Sequence, residues 1–514
     1  MNLTTEAWIP IVWADARPGS VSLCEAFKRG HEIRDLAVRP HERIAVIRLL
    51  ICVAQAALDG PRDNDDWESC RLRIVPAASD YLKRWRAAFE LFGGGQRFLQ
   101  VSNLKKPEFS GDEEEGNSVS KLDLVLATGN NTTLFDNAGG SKRAFTAPEL
   151  ALMLTTFQCF SPGGRIGVAV WNGRETPGNG SSNHAPCLAG GMLHALVRGD
   201  HLLATIHKNL MSKEQVDRFY GSGSWGKPVW ENSPQRLSDA EAAHNATRTY
   251  LGRLLPLARA ISLGEDGESL ILANGFQYES FQESGWREPT ATVIARTAKG
   301  ESKRVVLRAS VERALWRELY ALTVKEVGEK PGGPAALQHL TGDKPFDLWV
   351  GALVADRAKP LDTVESVFHV PAEMLYDTGQ KVYEEGVRRA EMGEWRLRRA
   401  VVMYHNQLGD KLDRPEMKNR RQQIQSKAVA QYWTDVEQAL PYLLGIAENR
   451  GKLGQPAEWY KTDWGKAVWS AMRTAYERAC PHETPRQMRA YALGSRTLFS
   501  APTEEDRSVE EDEE

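Results

Sequence analysis

The chain has 514 residues, of which 41% are hydrophobic and 26% are charged, and its formal net charge is −3. This length predicts two or three domains, and the composition is that of a globular protein and excludes a disordered or fibrous chain. The six cysteines form no CxxC pair, so the sequence predicts neither a zinc knuckle nor a CxxC redox motif.

The start of the chain and its most apolar stretch bear on location. Residues 1–10 contain Glu6 and no basic segment ahead of an apolar run, which is unlike a signal peptide. The apolar stretch 44–58 is interrupted by Arg48 and Gln55 and is too short to span a bilayer. We therefore predict a cytoplasmic protein with no membrane partner.

The net charge conceals an uneven distribution. Residues 503–514 carry eight acidic side chains and one Arg, a net charge of −7, so the rest of the chain has a net charge of +4. Between Lys381 and Lys427, twelve Lys or Arg residues are accompanied by seven Asp or Glu residues. This segment is a candidate DNA-facing stripe, and a solvated helix surface with local ion pairs is an equally open interpretation.

Short strands and helices alternate in the first two thirds of the chain. The pattern predicts a strand and turn within residues 1–13, helices over 41–58, 81–92 and 148–160, and strands over 270–273 and 304–307. Gly60 is the expected stop of the first long helix. Residues 161–186 are rich in glycine and predict an irregular region.

Long helical patterns dominate after residue 370. They span 372–407, 417–449, 459–480 and 485–499, with Pro441 expected to kink or divide the second. Four long helices with short breaks predict a helical bundle. The sequence therefore predicts an α+β protein with a large mixed α/β N-terminal domain over 1–368, a C-terminal four-helix bundle over 369–502 and a disordered acidic tail over 503–514.

The motif nearest to a catalytic one is the loop from Gly221 to Lys227, which imitates a phosphate-binding P-loop as far as its lysine. A P-loop needs a strand before it and a hydroxyl residue and helix after it, whereas this loop continues with Pro228 and follows no hydrophobic strand. Four residues that lie close together in sequence match no metal-ligand spacing: Cys187, His194, His201 and His207. The sequence offers no catalytic residue and predicts no cofactor.

A set of short segments in a fixed order resembles one protein family. The segments are Met1-Asn2-Leu3, Trp8-Ile9-Pro10, the helix with Leu49-Leu50-Ile51-Cys52-Val53-Ala54-Gln55, Arg97-Phe98-Leu99-Gln100, residues 131–137, Ser161-Pro162-Gly163-Gly164, Val197-Arg198-Gly199, Gly275-Phe276 and residues 490–499. Together they span nearly the whole chain, and they resemble the CasA family, the large subunit of the type I-E CRISPR surveillance complex called Cascade. The resemblance implies a large mixed α/β domain followed by a four-helix bundle, which agrees with the layout above.

The resemblance also implies a function. In such complexes, guide RNA reads the target by base pairing, while a protein subunit reads a short adjacent motif, the PAM, and starts strand separation. The family's role implies a non-enzymatic subunit that recognises the PAM, promotes duplex opening and R-loop formation, and recruits a separate helicase-nuclease. The implied partners are the crRNA-bound backbone, small and 5′-end-capping subunits, the guide RNA 5′ end and target double-stranded DNA.

The first DNA-related element of the family corresponds to a loop after Phe135. In this loop Asn137 would bond a base edge or the guide backbone, and Lys142 and Arg143 would neutralise phosphate. By resemblance, Phe135 and the loop hold the subunit on the guide RNA 5′ end and act in PAM sensing.

The second element is a glycine loop, residues 162–164, that approaches the PAM duplex from the minor groove. Gly163 and Gly164 lack the side chains that would keep a backbone off the narrow groove floor. Arg165 adds a phosphate or groove contact. Because the minor groove mainly separates A·T from G·C, a permissive PAM reading is expected.

The third element is a wedge, a hairpin tip that helps to part the first base pairs and that corresponds to Ala355, Asp356, Arg357 and Lys359. The best-known family pattern has an Asn–Gln pair at this tip, whereas this chain has Asp356 and Arg357. Arg357 would stack on a base or grip phosphate. Unstacking one step costs on the order of a few kcal/mol, which contacts such as Lys359 would offset.

A further departure concerns a lysine that the family pattern places near Gly275 and Phe276. The candidates in this chain are Gln277 and Ser280, and Gln277 would read a groove acceptor without a positive charge. Some relatives carry a cysteine cluster before this point. This chain does not, so no zinc is expected.

Two other functions stay open at the level of sequence. A nuclease or nucleotide-hydrolysing enzyme would use the loop from Gly221 to Lys227 or a histidine site, and the purified chain would then cleave nucleic acid or turn over ATP. A purely structural scaffold would tolerate substitutions in the wedge and loops and would fail on domain truncation.

Overall fold

The structure is a computed structural model that describes residues 1–107, 117–126, 143–182, 184–298, 301–327, 330–356, 359–408, 415–450 and 453–499. The chain divides into two compact units, Met1–Val370 and Pro371–Glu514. The first unit combines small antiparallel sheets with helices, and the described part of the second unit is helical. The predicted α+β class is therefore confirmed.

The first unit contains short helices around one long one. Its helices are α1 (Leu23–Lys28), α2 (Pro40–Leu58), α3 (Asn64–Cys70), α4 (Ile74–Arg84), α5 (Ala147–Phe160), α6 (Leu202–Lys208), α7 (Lys213–Tyr220), α8 (Ala240–Arg248), α9 (Tyr250–Leu254), α10 (Phe281–Ser284) and α11 (Leu319–Leu322).

The strands of the first unit pair in small antiparallel sheets. They are β1 (Ile9–Trp13), β2 (Pro18–Val21), β3 (Ile33–Leu36), β4 (Leu104–Lys105), β5 (Asn117–Ser118), β6 (Gly164–Ile166), β7 (Val170–Trp171), β8 (Arg174–Glu175), β9 (Asn179–Ser182), β10 (His194–Arg198), β11 (Arg259–Leu263), β12 (Ser269–Asn274), β13 (Val293–Ala298), β14 (Glu301–Val306), β15 (Glu326–Val327), β16 (Lys330–Pro331), β17 (Phe346–Asp356) and β18 (Lys359–Val370). The sheet orders are β2-β1-β3, β10-β17-β18, β11-β12-β5 and β4-β7-β8, with the pairs β6-β9, β13-β14 and β15-β16. The predicted strands over 270–273 and 304–307 are confirmed as β12 and β14.

Helix α2 is the centre of the first unit. It begins at Pro40, a residue suited to the first helical position, and its residues from Ile44 to Gln55 are buried on every side. The predicted helix is confirmed, but its stop differs by one residue. Asp59, with φ of 46°, adopts the left-handed conformation that was expected of Gly60.

The predicted helix over residues 81–92 is wrong in its bounds. The structure has α4 from Ile74 to Arg84, and a 3-10 turn, Arg86–Phe89, follows it. Pro76 does not prevent the early start because it lies in the first turn, where a helix does not need its N–H.

The described part of the second unit contains the helices α12 (Asp377–Gln407), α13 (Pro415–Gln438), α14 (Leu440–Arg450), α15 (Asp463–Ala479) and α16 (Pro485–Phe499). Pro441 lies in the first turn of α14, so the expected division of the second helical pattern occurs at Ala439. Buried aromatic side chains hold the helices together through backbone carbonyls. Trp464 Nε1 donates to Gly386 at 2.9 Å, and the Tyr432 hydroxyl donates to Ala390 at 2.6 Å.

Candidate nucleic-acid interface

The predicted glycine loop lies at the C-terminal end of α5. Ser161 ends this helix by donating its N–H to the carbonyl of Phe157 at 2.7 Å. Gly163 and Gly164 are half-buried, and Gly164 begins β6, which pairs with β9. A Cβ added to Gly164 would meet no atom within 4 Å, and Arg165 is exposed. The loop therefore presents open backbone and one basic side chain to the solvent.

A buried arginine fixes the base of this loop. Arg259, the first residue of β11, is 2% exposed and donates to the carbonyl oxygens of Pro162 and Ala258, each at 2.9 Å. Burial lowers the pKa of Arg259 to about 10, so the guanidinium remains charged at neutral pH. Because a charged donor makes a stronger hydrogen bond than a neutral one, Arg259 is well suited to hold the loop backbone.

The same arginine lies at the end of the sheet after which Gln277 follows. Arg259 pairs across the sheet with Asn274, whose side-chain amide donates to the carbonyl of Pro177 at 2.6 Å. Gln277 follows shortly after β12 and is exposed, with its amide nitrogen 3.5 Å from the carbonyl of Gly275. The structure therefore brings Gln277 and the glycine-rich region to the same end of β11 and β12.

The stretch predicted as a wedge is a β-hairpin. β17 and β18 pair as far as Asp356, which lies opposite Lys359, and the register shifts between Val354 and Ala355. Such a shift bends a strand and increases its twist. Ala355 is half-buried and packs against the core of the first unit, and Lys359 is half-buried. Arg357 lies outside the described residues.

Residues 184–192 connect the glycine loop to the hairpin. At one end, the N–H of Ala185 donates to the carbonyl of Ser161 at 2.8 Å. At the other end, a Cβ placed on Gly191 would lie 3.7 Å from the Cα of Val354. The glycine loop and the hairpin thus both contact residues 184–192, although they are far apart in sequence.

The loop after residue 135 is only partly described. Phe135, Asn137 and Lys142 lie outside the described residues. Arg143 is described and half-buried, and it precedes Thr146, which caps the N-terminus of α5. The predicted guide-RNA contact therefore stays a prediction.

The basic stretch of the second unit is partly neutralised by local ion pairs. Arg388 and Arg389 both contact Glu385 at 2.7 Å, and Arg398 contacts Glu394 at 2.6 Å. These are the local pairs that the alternative interpretation of the charge pattern expected. On α12, the positive charge available to DNA is smaller than the sequence count suggests.

The P-loop-like segment is built differently from a phosphate-binding loop. It follows helix α7 instead of a strand, and Gly221 caps that helix. The carbonyl of Ser224 accepts from the N–H of Tyr250 at 2.7 Å, and the N–H of Lys227 donates to Asn245 Oδ1 at 2.9 Å. The loop's backbone is therefore engaged in packing against α8 and α9.

The histidines that lie close in sequence have separate structural partners. His194 is buried and bonded to Thr290 Oγ1 at 2.7 Å, His201 caps α6, and His207 bonds the carbonyl of Trp67 at 2.8 Å. Among the described residues, no group of three or more His, Cys, Asp or Glu side chains is arranged to hold a metal ion. Within the residues that the structure describes, no helix has the length and apolar character needed to cross a membrane.

Arg259 is the interface residue that sequence reasoning missed. Its partner, Pro162, lies 97 residues away in sequence, and no local pattern encodes such a contact. The available signal was an arginine within the apolar run Leu254–Leu263, which marks a buried charge that must find acceptors.

Comparison with known proteins identifies the family. The sequence model of CRISPR-associated protein Cse1 matches residues 2–475. The CRISPR-associated protein CasA/Cse1 of Thermus thermophilus is 30% identical over 410 residues, which cover 76% of this chain and 75% of the relative. A structure of Thermus thermophilus CasA (Cse1) superposes with a TM-score of 0.75 at 25% identity, over 97% of this chain and 98% of that one.

A second solved structure has the same fold. One chain of a CRISPR RNA-guided surveillance complex superposes with a TM-score of 0.70 at 18% identity, over 97% of this chain and 99% of that one. The resemblance inferred from the sequence is confirmed by the family match and the curated relative. The chain belongs to the CRISPR-associated protein Cse1 (CasA) family.

Proposed function

We propose that this protein is the PAM-recognising large subunit of a type I-E CRISPR surveillance complex. It binds the duplex beside the target, promotes strand opening and R-loop formation, and recruits the helicase-nuclease that cuts the DNA. It catalyses no reaction itself. Family membership supports this role, as does the likeness to a chain of a surveillance complex. Its partners are the crRNA-bound subunits, the guide RNA 5′ end and target DNA.

The observation that carries the proposal is that residues 184–192 contact both the glycine loop and the hairpin. Bare glycine backbone suits the narrow minor groove, because no Cβ would keep the chain off the groove floor. The Gln277 amide offers a donor for groove acceptors and is exposed. The hairpin of β17 and β18, which shares residues 184–192 as a neighbour with the glycine loop, would then act as a wedge for the adjoining base pairs.

A bulky residue in the glycine loop tests this function. In a surveillance complex reconstituted with the Gly163→Trp chain, the indole would occupy the space between backbone and groove. We expect binding of a PAM-containing duplex to fall to the level of a PAM-scrambled duplex in a gel shift, with the complex still assembled. Normal PAM-dependent binding by this variant would reject the assignment of the glycine loop.

A matched control uses a glycine of the same unit outside the interface. Gly94 is exposed, and a Cβ added there would meet no atom within 4 Å. Gly94→Trp should therefore leave assembly and PAM-dependent binding unchanged. A loss of binding in this control would indicate a general effect of surface tryptophan and would remove the support that Gly163→Trp gives.

A further inference from the structure

One exposed arginine, Arg308, lies beside residues 190–193, at the hairpin end of the segment that joins the glycine loop to the hairpin. It follows β14 and is exposed to solvent. Its backbone is held on both sides, because Leu307 accepts a hydrogen bond from Leu193 at 3.0 Å and Ala309 donates one to Gly191 at 2.8 Å. The position of this arginine is therefore set by paired backbone and not by a free loop.

The guanidinium of Arg308 packs on a glycine that leaves room for it. A Cβ added to Gly190 would lie 3.0 Å from Arg308 Cζ and 3.1 Å from its nitrogens. Gly190 has φ of 65°, a conformation that favours glycine. The side chain is thus seated against the segment that links Ser161 to Val354.

Two guanidiniums and one carboxylate lie within electrostatic reach of His184. His184 lies within electrostatic reach of both Arg259 and Arg308; burial lowers its pKa first, and the two guanidiniums lower it further. Among the described residues, no carboxylate forms an ion pair with Arg308. The carboxylate is that of Glu283, which accepts from the N–H and hydroxyl of Ser280, each at 2.8 Å, and is paired with no arginine among the described residues.

We infer that Arg308 contacts a DNA phosphate of the duplex that the glycine loop and the hairpin approach. This inference rests on the proposed function and adds a residue to its interface. An exposed guanidinium on paired backbone, with no counter-ion in the part of the chain that the structure describes, is suited to a phosphate oxygen, because Arg donates in a planar fork that matches it. As a backbone contact, it positions the duplex and carries no base preference.

The test measures affinity and its salt dependence for the reconstituted complex that contains Arg308→Ala. We expect affinity for the PAM duplex to fall about tenfold, and the slope of log affinity against log salt to decrease by about one. The ratio of affinities for PAM and scrambled duplexes should stay the same. Arg308→Lys should recover part of the affinity, because it keeps the charge and loses the fork.

Two controls separate this inference from the proposed function. Arg84→Ala removes another exposed arginine of the first unit, at the end of α4, and should change neither affinity nor slope. Gly163→Trp should abolish the PAM preference itself.

The outcomes are distinguishable. If Arg308→Ala leaves affinity and salt slope unchanged while Gly163→Trp abolishes PAM-dependent binding, the phosphate contact is rejected and the proposed function stands. If Arg308→Ala removes the PAM preference, Arg308 reads bases and the phosphate assignment is wrong. If neither Arg308→Ala nor Gly163→Trp changes binding, the phosphate contact and the proposed function are both rejected.

Discussion

Arg48 and Glu288 form an ion pair of 2.6 Å in the interior of the first unit, with side chains 0% and 1% exposed. Arg253 contacts the other carboxylate oxygen of Glu288 at 2.5 Å. Burial alone would raise the pKa of Glu288, but the guanidiniums of Arg253 and Arg48 hold it below its usual value. One buried carboxylate thus pairs with two buried arginines, one from α2 and one from α9, and this triad keeps a net charge of +1.

This triad predicts a strongly destabilising substitution. Glu288→Gln keeps the shape of the side chain and removes its charge, which leaves two guanidiniums buried together. We expect a loss of about 3–5 kcal/mol in the free energy of unfolding, measured by urea denaturation. Glu32→Gln, which breaks a solvent-exposed pair with Arg29, should destabilise the chain far less. Equal effects of the two substitutions would contradict the role given to the triad.

Arg259→Met tests how the glycine loop is held. Methionine fills much of the buried space but cannot donate to the carbonyl of Pro162. Losing a hydrogen bond from a charged donor costs about 1.5–3 kcal/mol, so the melting temperature should fall. PAM-dependent DNA affinity should fall as well, by about tenfold, while affinity for a scrambled duplex changes little. A variant that melts at a lower temperature but keeps normal PAM-dependent affinity would show that the hydrogen bond from Arg259 to Pro162 matters only for folding.

Three buried histidines predict acid sensitivity of the first unit. Burial is the main cause that lowers the pKa of His41 to about 3 and those of His194 and His339 to about 4. Between pH 4 and about 6.5 the unfolded chain therefore binds more protons than the folded chain. Stability is full above this range and is lost as the pH falls through it.

The corresponding measurement compares unfolding at two pH values. The free energy of unfolding should be lower at pH 5.5 than at pH 7.5, with each histidine contributing up to about 1.4 kcal/mol per pH unit. His339→Gln should reduce this difference, because it removes one of the groups that titrate. The same difference in His339→Gln as in the unaltered chain would rule out His339 as a contributor.

Close helix packing in the second unit predicts a contrast between two helical glycines. A Cβ on Gly494 would lie 2.8 Å from the carbonyl oxygen of Ala400, whereas one on Gly445 would meet no atom within 4 Å. Gly494→Ala should therefore destabilise the chain by about 1–3 kcal/mol. Gly445→Ala should be neutral or stabilise by up to about 1 kcal/mol, because alanine favours helix. Equal melting temperatures for the two variants would contradict the tight contact of α16 with α12.

Helices with clear ends were predictable from the sequence. The last helix was predicted over 485–499, and α16 has these bounds, because Pro485 begins it as the residue preferred at a first helical position. The prediction over 459–480 merged two elements. Thr462 caps α15 by accepting from the N–H of Gly465 at 3.0 Å, so residues 459–461 form a separate turn. Such side-chain caps are local, but several candidate caps compete in any sequence.

The candidate interface was only partly predictable. Gly163, Gly164 and Gln277 were identified by resemblance to a family pattern, since no single one of them has a distinctive local signal. The hydrogen bond from Arg259 to Pro162 and the packing of Arg308 against Gly190 are contacts between distant segments of the chain. Hydrophobic periodicity and helix or strand propensity describe residues that are neighbours along the chain. Contacts between distant segments form only when the fold brings those segments together.

Site-specific photo-cross-linking in the assembled complex tests the central claim most directly. A benzophenone amino acid would replace Arg165, Gln277 or, as a control, Arg84, and the complex would be irradiated on a PAM-containing duplex. We predict that cross-links from positions 165 and 277 form with the PAM base pairs and disappear when the PAM is scrambled, whereas position 84 gives none. Equal, PAM-independent yields at all three positions would contradict the account.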